Sequence, residues 1–223
     1  AISYEEMLEM ASAGAKVLHT RAVQFSAKYN VTLKVVSSFD ELPEDPMVEL
    51  PGTLVTSEPE SMMEDVVVSS IQRNTNEAKV TLAAVPDQPG VAAKIFNLLA
   101  DNAVVVDMIV QNVGAADKTD LSFTVEKPDL VRVQKLEEQI KQAVDAQDIR
   151  YDDQIAKVSA IGVGMRTHAG VAARMFKSLA ERGINIQMIS TSEIKISVVI
   201  SEEYTELAVR TLCEEFGLTE QKG

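Results

Sequence analysis

Hydrophobic and polar residues change period several times along this chain, and over two long stretches the changes come in the same order. From Lys79 to Val85, Val80, Leu82 and Ala84 alternate with Thr81, Ala83 and Val85, the two-residue period of a strand. Pro86-Asp87-Gln88-Pro89-Gly90 suits neither strand nor helix and predicts a turn. Val91, Ile95, Leu98 and Leu99 then recur at helical spacing, so the turn opens directly into an amphipathic helix. Val104, Val106, Met108 and Val110 restore the strand period, with Asp107 and Gln111 on the other face. The second copy is Lys157–Ser192. From the glycine onward it matches at an offset of 80, with Gly90/Gly170, Val91/Val171, Ala92/Ala172, Phe96/Phe176, Leu99/Leu179 and Met108/Met188 identical. Before the glycine the offset is 78, which places two extra residues in the second loop. Two copies make a tandem pair of small domains, not a solenoid.

The first unit continues with a strand over Leu121–Val125 and a helix opened by Pro128-Asp129, whose Val133, Leu136, Ile140 and Val144 form one stripe. Ile149–Asp152 supplies a last strand. The order β-α-β-β-α-β predicts an α+β, ferredoxin-like fold. The second unit offers Ile194, Ile196, Val198 and Ile200 as its third strand and Glu203–Phe216 as its second helix, and then only a short polar tail. An unpaired sheet edge is a liability. The spare strand at 66–73, with Val66–Gln72 as its body, is therefore expected to complete the second sheet. The helix-free faces, carrying Asp107, Ile109, Ser122 and Val199, are expected to pair two copies of the chain.

Ahead of the repeats, Ser3 and Glu6 form a capping-box pair before an apolar face of Tyr4, Met7, Leu8 and Ala11. Gly14 ends that helix. A second helix is expected over Arg21–Tyr29 with Ala22, Phe25 and Ser26 inward, then strands over Leu33–Phe39 and Gly52–Thr56. Asp40–Leu50 and Ser57–Asp65 are acidic and polar and read as exposed connections.

The net charge of −13 makes phosphate backbones and anionic membranes poor partners. A ferredoxin-like RNA binder would need basic charge and aromatic strand residues, which these strands lack. One cysteine, Cys213, cannot form an intrachain disulfide and fits a reducing, cytoplasmic setting; it reads as a small near-core residue. No signal peptide and no apolar run of membrane-spanning length is visible. His19 and His168 have no Cys or carboxylate at metal-ligand spacing, so no metal and no cofactor are expected. Gly162-Val163-Gly164 is too little for a nucleotide fingerprint.

The turns before the two repeat helices carry more chemistry. A helix start presents unpaired N–H groups and the positive end of the dipole, which suits a carboxylate. Asp87 adds a charge that can hold an ammonium group, so the turn and the amides of Gly90, Val91 and Ala92 can take both ends of a free amino acid. Asp87 equally suits a Pro-Asp turn with no ligand. At the common offset Asp87 aligns with Thr167, and Gln111-Asn112 align with Thr191-Ser192, so the repeats are not equivalent.

VPDQPGVAAKIF, VDMIVQNV, VGMRTHAGVAARMF and INIQMISTSEIKISVVI, with the N-terminal ISYEEMLEMASAGAKVLHTRAVQFSAKYN and GTLVTSE, resemble the C-terminal regulatory part of aspartate kinases, expressed as a separate β subunit in some species. The resemblance implies a kinase-domain tail and linker over 1–56 and small-molecule-sensing ACT domains over 79–153 and 157–218. It also implies feedback control by threonine, lysine or both, a catalytic domain or α subunit as partner, and a homodimer through the ACT domains. It places an effector on Asp87, Gly90, Val91, Ala92, Gln111 and Asn112, closed over by Asn185 and Ile186 of a second unit. A second effector site would comprise Met165, Thr167, Ala169, Gly170, Val171, Thr191, Ser192 and Glu193. Three departures stand out, one being that Asp40–Leu50 is longer and more acidic than the family's usual linker. Thr20 replaces the family's usual proline, and the lysine- and glycine-bearing phosphate-binding motif is absent, so a regulatory, non-catalytic chain is expected. The rival reading is a catalytic amino-acid kinase, which aspartate-dependent ATP consumption by this polypeptide would reveal.

Overall fold

The computed structural model describes residues 1–39, 51–57, 67–112 and 117–218. The acidic connection at 40–50, most of the polar stretch at 57–65, residue 66 of the spare strand and the last residues of the tail lie outside them.

The first repeat folds as β5 (Glu77–Pro86), α3 (Val91–Asp101), β6 (Val106–Gln111), β7 (Lys118–Glu126), α4 (Lys127–Lys135), α5 (Glu137–Val144) and β8 (Asp148–Asp152), counting from β1 at the N-terminus. Its strands form a sheet in the order β6-β7-β5-β8, all antiparallel neighbours. The helices cover one face, over Val80, Leu82, Ile95, Leu99, Phe123 and Ile140. Two irregularities reset the alternation read from the sequence. In β5 one extra residue falls between Leu82 and Val85; Ala84 takes a φ of 54° and its N–H bonds the Asp120 carboxylate at 2.9 Å. Val85, not Ala84, therefore enters the core. In β6 the extra residue falls between Val106 and Ile109, so Val106 faces the helices while Met108 and Val110 turn to the other side. A bulge adds one residue to one strand and so exchanges the faces beyond it. The stripe expected on one helix is carried by two, joined at Leu136, which stays buried at the joint.

The second repeat folds as β9 (Ile155–Ile161), α6 (Val171–Glu181), β10 (Met188–Thr191), β11 (Lys195–Ser201) and α7 (Thr205–Glu215). Its fourth strand comes from upstream: β4 (Ser70–Asn74) pairs antiparallel with β9, giving the order β10-β11-β9-β4. Gly162 is needed where this strand enters, since a Cβ there would lie 2.4 Å from the Val67 carbonyl oxygen.

The helix-free faces of the two sheets meet within the chain. Met108, Ile155, Met188 and Val199 form a small apolar cluster between them, so Val199, expected on an open face, is fully buried. Beside it Lys157 bonds Glu77 at 2.5 Å and Asp107.

The N-terminal part holds β1 (Ile2–Ser3), α1 (Tyr4–Ser12), α2 (Thr20–Tyr29), β2 (Leu33–Val35) and β3 (Thr53–Thr56), its strands ordered β1-β3-β2. The capping box of Ser3 and Glu6 is formed. On α2 the inward residues are Val23 and Ser26; Ala22 and Phe25 point outward, and Phe25 stacks on Tyr29 in solvent. Val23, one position off the expected stripe, is the residue that meets Met7 and Val55. β2 stops at Val35, and Phe39 is 95% exposed.

Candidate functional site

Within each repeat, the turn and the strand end singled out from the sequence fall at one end of the sheet. β5 and β6 both run antiparallel to β7, so they are parallel to each other and finish on the same side, one strand apart, or roughly 10 Å. The turn after β5 and Gln111-Asn112 after β6 are therefore neighbours. Asp87 is exposed, and its backbone N–H bonds the Asp117 carbonyl at 2.8 Å. Gly90 caps α3 at a φ of 94° with no side-chain cap, and the Val91 N–H bonds the Gln88 carbonyl at 3.3 Å. A Cβ at Gly90 would meet nothing within 4 Å, so glycine is required for its dihedral and not for a close approach. Gln111 and Asn112 are exposed, and the Asn112 carbonyl accepts from the Thr119 hydroxyl. A carboxylate, uncapped amides and two carboxamides thus share one solvent-facing sheet end. Such a set complements a zwitterion.

Asn185 and Ile186 of the same chain sit elsewhere. They precede β10, where Gln187 accepts a bond from Lys79, and Lys79 lies seven strand residues before Pro86. That is roughly 20 Å from the Asp87 turn at a strand's rise. Asn185 is exposed there, and Ile186 packs on the second domain's core.

The second sheet repeats the plan with different contents. β9 and β10 flank β11 and finish at the same end, which brings Thr191, Ser192 and Glu193 beside the second turn. That turn starts with a 3-10 helix over Val163–Arg166 containing Met165, which packs on the domain core. The Gly164 carbonyl accepts from the backbone N–H of Thr167 at 3.3 Å and of His168 at 3.2 Å. The His168 ring Nδ1 lies 2.9 Å from the same oxygen, so this histidine closes the turn. Ala169 and Gly170 are exposed; Gly170 caps α6 at a φ of 93°, again with no side-chain cap, and Val171 is buried beneath it. Arg166 lies 3.3 Å from Glu193 and bonds Glu5 of α1 at 2.8 and 2.9 Å.

Sequence reasoning missed Arg166, Glu5 and Glu6 as contacts between parts of the chain. Glu6 was legible only as a local cap. In the fold it caps α1 and also accepts the Val163 N–H at 3.1 Å. Lys157 and Glu77 were missed as well, because nothing local shows that two polar strand positions will face each other.

A βαββαβ unit followed by a βαββα unit whose fourth strand comes from upstream, each with a glycine-opened helix after its first strand, defines a pair of ACT domains. Residues 80–145 and 158–216 each match a family model described as ACT domain. The chain belongs to the aspartate kinase family. It is 51% identical over 217 residues to the aspartate kinase of Pseudomonas fluorescens strain SBW25, covering 97% of this chain and 51% of that one. It matches a chain in a crystal structure of aspartokinase alpha and beta subunits at 48% identity and a TM-score of 0.64, covering 67% of this chain and 99% of that one. The regulatory subunit of aspartate kinase from Thermus thermophilus aligns at 37% identity and a TM-score of 0.64, with the same coverage. The chain spans about half the length of the curated relatives it matches.

Proposed function

We propose that this chain is the non-catalytic regulatory part of an aspartate kinase, binding an end-product amino acid at the end of the first ACT sheet and reporting it to a catalytic domain or α subunit. The observation that carries the reading is the exposed Asp87 carboxylate beside the uncapped start of α3, at the same sheet end as Gln111 and Asn112. The ammonium group would pair with Asp87, the carboxylate with the amides of Gly90, Val91 and Ala92, and the side chain would meet Gln111 and Asn112. Since Asn185 and Ile186 of the same chain are remote, a second copy would supply them, and the working unit would be a homodimer. The turn from Met165 to Val171 with Thr191, Ser192 and Glu193 is the second effector site in this reading, and Glu193 suits a cationic effector such as lysine. The aligned Thermus thermophilus protein is named a regulatory subunit of aspartate kinase, which supports this reading.

The test is effector-induced thermal stabilisation. A ligand at a hundred times its Kd stabilises by about 2.7 kcal/mol, or roughly 5–10 °C for a chain of this size. Asp87→Asn is expected to abolish most of the threonine-induced shift while leaving the ligand-free melting temperature unchanged, because a charge-assisted bond of about 1.5–3 kcal/mol is removed from an exposed site. Thr167→Val is expected to change the threonine response little. A full response in Asp87→Asn, or equal loss in both variants, places the site elsewhere.

A further inference from the structure

Among the described residues, turn 86–90 of the first domain bonds within its own domain, through Asp117. The second turn is different: it is fastened to the N-terminal helix. Arg166 donates to both oxygens of Glu5 and lies 3.3 Å from Glu193 at the end of the second sheet. One oxygen of Glu6 accepts from the Val163 amide at 3.1 Å, while the other holds Ser3 at the start of α1 at 3.1 and 3.0 Å. Glu6 is only 3% exposed. On the same helix Glu9 pairs with Lys195 of β11 at 2.7 Å, and Met10 and Ala13 pack on Ile161, the last residue of β9. The root of the turn is pinned at Gly162 against Val67, whereas its far end at Gly170 has open space around it. Movement of the exposed end therefore falls on residues 163–166, where α1 is attached.

We infer that α1 is the output lever of the second ACT domain, with Arg166 as the positioning residue that couples Glu193 at the sheet end to Glu5 on the helix. An effector group that engages Glu193 changes how the Arg166 guanidinium is shared, and Glu5 carries that change into the N-terminal part. Among the described residues the first domain's turn shows no such attachment to α1, so the repeats divide the work: both can sense, and the second transmits. This rests on the regulatory reading above for its ligand, but the attachment can be tested without one.

The experiment is hydrogen exchange of the α1 amides in the full chain, with and without saturating lysine and saturating threonine, beside calorimetric titration of each. In the wild-type chain a bound effector is expected to change α1 exchange by about threefold or more. In Glu5→Gln that response is expected to vanish while calorimetry still detects binding, with affinity changed by no more than the lost coupling, about threefold. A wild-type response persisting in Glu5→Gln, or effector binding with no change in α1, overturns the inference. If neither amino acid binds, the regulatory reading fails, and the ligand-free arm decides the coupling alone. Glu5→Gln and Arg166→Met should each speed α1 exchange by about three- to tenfold, and the double variant no more than the larger single. Additive effects overturn it. Glu214→Gln, which removes a surface pair with Arg182, should leave α1 exchange unchanged.

Discussion

Lys157 shows how a single residue holds the two domains in register. Its side chain is almost fully buried between Glu77, itself buried, and the half-exposed Asp107. Burial works against the ammonium, but the two carboxylates outweigh it and hold its pKa above the ordinary lysine value. Burial likewise pushes the Glu77 carboxyl up, against the opposing pull of Lys157. Lys157→Met leaves Glu77 buried beside no cation and is expected to cost about 3 kcal/mol at neutral pH, measured by denaturant unfolding. The sign of its pH dependence follows from Glu77. A carboxyl whose pKa is raised by the fold favours the folded state below its unfolded value of 4.5, and that contribution is lost as the pH rises through the folded value. The deficit of Lys157→Met should therefore shrink as the pH falls toward 4.5; a constant deficit shows that Glu77 is not the stranded group. The glycines make a second contrast. Gly90→Ala meets open space and pays only for its left-handed backbone, about 1–2 kcal/mol. Gly162→Ala has extended backbone but drives a methyl into the Val67 carbonyl, and about 3 kcal/mol is expected. Equal melting temperatures for the two variants contradict this assignment.

Among the elements, β4 matters most because it belongs to one domain by pairing and precedes the other in sequence. It seals β9, whose residues are all buried. Ile71 packs against the second core, and the loop between α1 and α2 touches the strand, where a Cβ at Gly14 would lie 2.8 Å from the Arg73 carbonyl. A chain beginning at residue 75 would expose β9 as a bare edge. Exchange protection of the β9 amides is expected to drop toward that of a fraying edge while β5 and β7 keep theirs. Uniform loss across both sheets would show that the domains unfold as one unit. The bulges in β5 and β6 are the other decisive elements. Each exchanges the faces of its strand, and the one in β6 delivers Met108 to the interface between the domains.

For the whole molecule, the face of the second sheet away from its helices is covered in part by the first sheet and in part by α1. On the outer strands β6 and β10 the alternate residues stay open on the side opposite Met108 and Met188, with Ile109 51% and Ile189 43% exposed at matching positions of the repeats. Paired edges of this kind suit association of two copies. Sedimentation is expected to show a dimer favoured by saturating threonine or lysine, and Ile109→Asp to weaken it. A monomer under both conditions counts against a site shared between copies.

Much of this was legible in the chain. Alternation, the turn chemistry of Pro86–Gly90 and the helical stripe of Val133, Leu136, Ile140 and Val144 are local signals, because side-chain period follows from backbone geometry alone. The repeat at an offset of 80 gave the domain count, and a second unit one strand short directed attention to the residues before the first, where β4 lies. Asp87, Gly90, Gln111 and Asn112 fall at one sheet end because strand direction in a βαββ unit determines it. Tertiary structure alone decided the rest. Ala84 and Met108 look like ordinary members of an alternating strand until a bulge shifts them, and a bulge is set by what packs on each face. Nothing in the local pattern singles out Lys157, Glu77, Arg166 or Glu5. Only the meeting of the two sheets and the docking of α1 pair them, since an ion pair between residues far apart in sequence has no local periodicity to announce it.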